Sequence, residues 1–313
     1  MSNQVDLSAL GGKSAIVIGG ASGLGLAIVK RFAHAGAHVT IADLDAEGGR
    51  QIVTDLKSKG LSATFVRCDV TDHSSSVEAF EHAIRHSPSG SIDVAALTAG
   101  VMGEPRSLVD TVIEGQTEKQ LTPPKLRHPA LEVNLLGIYN SAYLALWYMN
   151  LDQTGKGLKD GRAAPGFPQF SKSLILTSST VAYADVGNFA DYYTSKFGIR
   201  GLFRGLRHET PRLNIRTNCL APYFMDTPMA QNGLEAFAAA GMAPGRDFTF
   251  VDTEKVVDVA GRFAVDESLH GKAMLIVPDP EGVIDVKDDE DGLWGGLVFK
   301  GIQERMRAVG LFI

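Results

Sequence analysis

The sequence predicts an α/β protein: a doubly wound, seven-stranded parallel sheet with helices on both faces, forming a single domain. Two observations carry that expectation. Short Val/Ile-rich runs recur at "SAIVIGG", "HVTIAD", "ATFVRCDV", "DVAALTAG", "SLILTSS", "IRTNCLAP" and "AMLIV". Between them lie longer stretches with helical spacing of apolar residues, such as "LGLAIVKRFAHAG" and "ALEVNLLGIYNSAYLALWYM". Apolar runs bounded by turns and alternating with helices indicate parallel strands covered on both faces, joined by right-handed crossovers.

Bulk properties narrow the class. The chain has 313 residues, 44% hydrophobic and 21% charged, an ordinary globular balance. That length suits one large α/β domain with insertions, expected over residues 1–277. Residues 151–173, "LDQTGKGLKDGRAAPGFPQFSKS", are rich in Gly, Pro and charge and read as a surface insertion. Residues 278–313 follow the last expected strand and carry an acidic run and then "GLWGGLVF". This tail reads as packing back on the domain or on a partner subunit.

A net charge of −6 and no basic block argue against nucleic acid as a partner. Cys68 and Cys219 sit in strand-like runs and read as buried thiols, and two cysteines make no zinc cluster, so no metal is expected. No basic leader precedes an apolar core, and no apolar run reaches the ~18 residues that span a bilayer. A cytoplasmic protein without membrane contact is expected.

The first strand runs straight into "GGASGLGLAIVKRF", where Gly19, Ser22, Gly23, Leu24 and Gly25 form the turn into a helix. Glycines there allow a tight turn and close approach of a pyrophosphate to the helix N-terminus. The strand before and the amphipathic helix after are the context such a site requires. A Rossmann-type dinucleotide site follows. The second strand ends at Asp43, 18 positions after Gly25. A carboxylate there can accept hydrogen bonds from ribose hydroxyls and repel a 2′-phosphate. The loop carries Ala21 and Ser22, not a basic residue, so NAD is favoured over NADP. Asp43 could instead only cap the next helix, a role also open to Asp45.

A third stretch, "ADYYTSKFGIRGLFRGL", carries chemistry on one face. At ~100° per residue Tyr192 and Lys196 lie about 40° apart, with Gly198, Gly201 and Gly205 on roughly the opposite side. That stripe lets another backbone approach, for which a neighbouring subunit's helix is a plausible occupant. An ammonium one turn from a phenol, with a cationic nicotinamide nearby, stabilises the phenolate. Moving a phenol pKa from ~10 to ~7 takes about 4 kcal/mol. Tyr193 is also within reach of Lys196, so helix geometry alone does not choose between the tyrosines.

With these residues in place, the sequence resembles the short-chain dehydrogenase/reductase family over roughly residues 10–277. "YYTSK" resembles its Tyr-x-x-x-Lys motif, which selects Tyr192 as the acid/base and leaves Tyr193 as a neighbour. The resemblance implies Ser179, 13 positions before Tyr192, as the serine that positions the substrate oxygen. It implies Asn134 in "LEVNLLG" as the anchor of a proton-relay water, and Lys196 as the residue that lowers the tyrosine pKa and holds the ribose. Asp69 and Val70 match the adenine side. Ala99, Gly100, Pro222 and Thr227 match the rest of the cofactor cleft. Within the family the pattern is most similar to the branch of 15-hydroxyprostaglandin dehydrogenase and fungal secondary-metabolism alcohol dehydrogenases.

Three positions depart from the family pattern. Ile18 replaces a threonine that braces the glycine turn, Thr98 an asparagine of the central strand, and Tyr223 a glycine beside the nicotinamide and substrate. The resemblance implies an NAD-dependent interconversion of a secondary alcohol and a ketone, in a homodimer or homotetramer. Residues 224–250, rich in Ala, Met and Phe, occupy the substrate-loop position and suggest a mobile lid over a fairly large apolar substrate. Two other readings of the same fold are a nucleotide-binding protein without turnover and a biosynthetic cyclase or dehydratase.

Overall fold

A sheet built on two central parallel strands organises the chain in the computed structural model, which describes residues 5–103, 108–118, 122–123, 125–151, 172–184, 189–239, 243–245 and 248–286. Those central strands are β1 (Ser14–Ile18), buried along its whole length, and β4 (Val94–Leu97). To one side lie β2 (His38–Asp43) and β3 (Ala63–Arg67). To the other lie β5 (Lys172–Thr177), β6 (Ile215–Pro222), β7 (Ala273–Ile276) and β8 (Val283–Val286). Each of the seven expected strand runs forms a strand, and all seven are parallel.

The eighth strand is a correction. β8 lies inside the segment read as a tail, and pairs antiparallel with β7, Ala273 facing Val286 and Ile276 facing Val283. Its run "VIDV" is short and largely exposed, so its composition carries too little apolar signal to announce a strand. It covers the edge that β7 would otherwise present. The rest of the tail, residues 287–313, and nearly all of the 151–173 insertion lie outside the described residues. The insertion is also shorter than its expected bounds, because β5 begins at Lys172.

Helices cover both faces. α1 (Gly23–His34) and α8 (Thr253–Val265) bury Ile28, Phe32, Val256 and Phe263 against one face, with α2 (Ala46–Ser58) beside them. α3 (His73–His86), α5 (Ile138–Met149) and α6 (Ala190–Glu209) bury Phe80, Met149 and Phe203 against the other. α4 (Leu108–Thr117) and α7 (Pro228–Ala239) lie off this frame. Buried Arg216 on β6 donates to the carbonyls of Phe263, Ala264 and Leu269, satisfying backbone acceptors at the C-terminal end of α8. No helix of the described residues is long and apolar enough to cross a membrane.

Two local features bear on the site. The stretch expected to be one continuous helix begins with a π-helical turn, Leu131–Gly137, before α5. Such turns recur at functional sites because they displace a side chain from helical register. The glycine stripe of α6 is also not uniform. A Cβ on Gly198 would lie 2.5 Å from Leu135 Cδ1 of the π turn, so a side chain of the same chain occupies that place. Gly201 and Gly205 meet nothing within 4 Å.

The strand order reverses between β1 and β4, since β1 continues outward to β2 and β4 outward to β5. Chains leaving the C-terminal ends of those two strands diverge and leave a crevice. That crevice positions the site.

Candidate active site

A cavity of about 860 Å³ fills the crevice. The expected cofactor residues line it: Gly19, Ser22, Gly23, Leu24 and Gly25 from the glycine turn, Asp43 from β2, and Asp69 and Val70 after β3. Ala99 and Gly100 after β4, and Pro222 and Thr227 around the end of β6, complete it. Ser179, Tyr192 and Lys196 also line it; Asn134 stands behind the wall, fully buried.

The glycine turn is built for close backbone approach. Gly19 has φ +83°, and a Cβ there would lie 2.5 Å from the Ala99 backbone. A Cβ on Gly25 would lie 1.9 Å from the Gly19 carbonyl oxygen. Only hydrogen fits at either place. Ser22, at the N-cap of α1, makes no side-chain cap, which leaves the first N–H groups of that helix available to an anion. This cradle fits a pyrophosphate.

Asp43 anchors the loop beside it. Its Oδ2 accepts from the Ala21 N–H at 2.8 Å and its Oδ1 from the Asp45 N–H at 3.0 Å. Asp45, not Asp43, caps α2, accepting from the Gly48 N–H. Of the two roles left open by the sequence, the helix cap thus falls to Asp45. Asp69 accepts from both the N–H and the hydroxyl of Thr71, and these bonds hold its carboxyl below the usual carboxylate range. Thr227 accepts from the Ala230 N–H and sits beside Gly23.

The substitution at Ile18 is answered from the next strand. Thr98 Oγ1 donates toward the carbonyls of Ile18 at 2.8 Å and Gly19 at 3.2 Å. The hydroxyl missing from residue 18 is supplied by the threonine that takes the asparagine's place. Spacing rules could not show this, because it joins two departures on neighbouring strands.

Ser178 and Ser179 separate cleanly. Ser178 Oγ donates to the Lys196 carbonyl at 2.9 Å and ties α6 to the end of β5. Ser179 Oγ lies 3.4 Å from the Pro222 carbonyl and accepts weakly from the Val181 N–H. It stands close enough to the Tyr192 phenol to pull that group's pKa down. Lys196 Nζ sits 5.6 Å from the centre of the Tyr192 ring and donates to the Thr177 carbonyl at 3.2 Å.

Burial sets the electrostatics. It pushes the Tyr192 phenol up, with the Ser179 hydroxyl pulling the other way. It pushes the Lys196 ammonium down to about 8. In the free protein the lysine does not by itself hold Tyr192 below its ordinary value; the expectation joined it to the positive charge of a nicotinamide. Lys196 lies over the ring and spends a proton on a backbone carbonyl. Both groups are destabilised in their charged forms, so added positive charge in the crevice would act strongly on the phenol.

Asn134 is committed to structure through its side chain. Its Oδ1 accepts from the Val101 N–H at 2.7 Å, and its Nδ2 donates to the Val101 carbonyl and to Ser195 Oγ. Ser195 Oγ in turn donates to the Tyr192 carbonyl at 2.6 Å. This bridge fixes the loop after β4 to the tyrosine helix. Sequence reasoning passed over Ser195, whose only signal was its place between Tyr192 and Lys196. It also passed over Phe189, which enters α6 at φ +60°.

Comparison with known proteins follows the geometry. Residues 13–236 match the family model described as short chain dehydrogenase. The chain belongs to the short-chain dehydrogenase/reductase family. A 5′-hydroxyaverantin dehydrogenase of Dothistroma septosporum is 39% identical, over 99% of this chain and 98% of its own. An NADP-dependent dehydrogenase of Cochliobolus lunatus is 37% identical over 72% of this chain and 74% of its own. Among solved structures, an actinorhodin polyketide ketoreductase with NADPH superposes with a TM-score of 0.68 at 20% identity, covering 85% of this chain and 95% of that one. The last shows the fold. Together with the family match, the fungal relatives place this short-chain dehydrogenase in the fungal secondary-metabolism branch and make it an oxidoreductase.

A buried lysine with a depressed pKa weakens the fold while it is charged. Between its folded value near 8 and the unfolded value near 10.5, the unfolded chain binds more protons, so stability rises with pH across that window. Lys196→Met is expected to raise free-protein stability at pH 7 by about 3 kcal/mol, with the gain shrinking as pH rises from 8 to 10.5. Urea unfolding at both ends of that range measures it, and an unchanged or lowered midpoint at pH 7 would contradict the assignment.

Proposed function

We propose that this enzyme oxidises the secondary alcohol of a fairly large, apolar, hydroxylated metabolite with NAD. The observation that carries the reading is the convergence of Ser179, Tyr192 and Lys196 at the wall of a cavity whose other end is the glycine cradle, with Lys196 Nζ 5.6 Å from the centre of the Tyr192 ring. A bound nicotinamide dinucleotide would supply the hydride acceptor. Ser179 would hold the substrate oxygen, and Tyr192, ionised, would take its proton. Lys196 would leave the Thr177 carbonyl for the ribose and the phenolate, and so lower the cost of ionising Tyr192. Asn134 would act by its place in the wall, because its side chain is spent on Val101 and Ser195.

The preference for NAD rests on charge. Lys196 is the one Lys or Arg among the described residues lining the cavity, and Asp43 stands at the ribose end. A 2′-phosphate would face the Asp43 carboxylate, and Arg67, its register partner on β3, is not among the residues lining the cavity. The name of the Dothistroma relative, a dehydrogenase of a hydroxylated compound, supports oxidation as the working direction. The lid role assigned to residues 224–250 draws support from Phe224, Met225 and Met229 on the cavity wall; residues 240–242, 246 and 247 lie outside the described residues.

The enzyme is further proposed to be a cytoplasmic homodimer or homotetramer. Leu136, Tyr139, Tyr143 and Trp147 are each more than half exposed along one face of the π turn and α5, with Phe197 exposed on neighbouring α6. An apolar face of that extent calls for a cover. Gly201 and Gly205, open on the same helix as Phe197, leave room for close approach. Cys68 and Cys219 are buried free thiols, as a reducing compartment allows. Sedimentation velocity should show a dimer or larger; a monomer at micromolar concentration would refute it.

Tyr192→Phe should retain less than about a tenth of wild-type kcat, since it removes the proton acceptor and keeps the ring. Retention of more would refute the acid/base role. Asp43→Ala should narrow the gap between Kd values for NADH and NADPH by about tenfold or more, read by fluorescence titration. Unchanged discrimination would end its selector role.

A further inference from the structure

The substrate end of the cavity differs in kind from the cofactor end. Asp43, Asp69 and Lys196 are the charged side chains among the described lining residues, and all are accounted for by the cofactor and the reaction. Away from them the wall carries a run of aromatic and sulfur-bearing side chains: Phe189, Tyr193, Tyr223, Phe224, Met102 and Met225. Those rings interlock. Tyr223 meets Phe224 edge-on at 4.9 Å, Phe224 meets Phe248 at 4.9 Å, and Phe248 meets Phe250 edge-on at 5.8 Å. A wall without countercharge disfavours carboxylate or phosphate substrates, and ring edges and faces favour a flat aromatic guest.

Two of the hydroxyls on this wall belong to Tyr193 and Tyr223. Tyr193 stands on α6 next to Tyr192, its backbone N–H bonded to the Phe189 carbonyl at 3.0 Å. Tyr223 follows Pro222 at the end of β6, its N–H bonded to the Ile276 carbonyl at 2.8 Å. Both backbones are fixed by separate elements. Among the described residues neither phenol hydroxyl has a hydrogen-bond partner, and burial pushes both phenols up, that of Tyr193 to about 12. Half-buried neutral hydroxyls on an apolar wall are groups that a ligand's oxygen atoms can satisfy.

We propose that Tyr193 and Tyr223 form a phenol clamp that selects a neutral, flat aromatic alcohol bearing oxygen substituents remote from its reacting carbon. The clamp rests on the alcohol-oxidising reading of the site, and deepens it by naming the substrate class. Tyr192 handles the reacting oxygen, while the clamp fixes the far edge of the ring system and sets which carbon reaches the proton acceptor. Discrimination arises because a guest without the remote oxygen leaves both hydroxyls dry and unpaired.

Three alcohols test it: a naphthyl ethanol with a phenolic hydroxyl on its far ring, the same alcohol without that hydroxyl, and its saturated decalin analogue. Wild-type kcat/KM should fall about tenfold at each step, about 1.4 kcal/mol per step. Tyr193→Phe and Tyr223→Phe should each reduce the preference for the hydroxyl, and together bring it near parity. Tyr223→Ala should erode the preference for the flat ring. A hydroxyl preference that survives the double Tyr→Phe variant, or is absent from the wild type, would overturn the clamp.

Calorimetric titration of the three corresponding ketones into the NADH-loaded protein separates this proposal from the reaction it rests on. Graded binding that the double variant abolishes, with no alcohol oxidised, would uphold the clamp and refute the dehydrogenase reading. Normal turnover without discrimination would refute the clamp alone.

Discussion

Burial of a phenol and an ammonium one helical turn apart is the constraint on which the rest of this structure depends. Neither charged form is favoured where it sits: the Lys196 pKa is driven down to about 8 and Tyr192 is driven up. Such a pair is a cost to the fold, and it persists because the surroundings fix it in place. Ser178 reaches α6 from the end of β5 and ties the backbone of Lys196, and Ser179 lines the cavity beside Tyr192. Ser195 and Asn134 hold the same helix to the loop after β4. Polar side chains from the end of β5 and from the π turn, with Ser195 of the helix itself, thus fix one helix. Their purpose is geometric, since two ionisable groups left mobile in a dry site would turn away from each other or admit water.

That arrangement gives the glycine cradle a second meaning. The crevice between β1 and β4 is where the chain reverses direction across the sheet, and any dinucleotide seated on Gly19 and Gly25 is laid along it toward Tyr192. Free, the phenol is held neutral by desolvation. Seated, a cofactor would bring positive charge to a place where little water screens it, and would draw Lys196 from the Thr177 carbonyl. In the proposed reaction, activation of Tyr192 as proton acceptor would then be coupled to cofactor binding. An uncoupled phenolate would carry its electrostatic cost at all times.

Most of this was legible in the sequence because it is local. Strand composition, the glycine turn and the Tyr-x-x-x-Lys spacing each occupy a few consecutive residues, and each seven-strand expectation found its strand. What escaped was non-local or compositionally faint. β8 is four largely exposed residues that become a strand only because β7 offers an edge. The π turn that seats Asn134 has the same apolar spacing as an α-helix. Thr98 and Ile18, read separately as two losses, prove complementary only when β4 lies beside β1. Lys196 shows a related limit: spacing reports that two side chains share a face, but not that burial opposes both charges. Gly198 was misread likewise, its neighbour being Leu135 of the same chain.

The most direct test of this coupling is the ionisation of Tyr192 itself, followed by phenolate absorbance as the difference between wild type and Tyr192→Phe, with and without NAD. The account predicts ionisation above the ordinary phenol value in the free protein and below it in the NAD complex, with the downward displacement reduced in Lys196→Met. The same ionisation with and without the dinucleotide would contradict it.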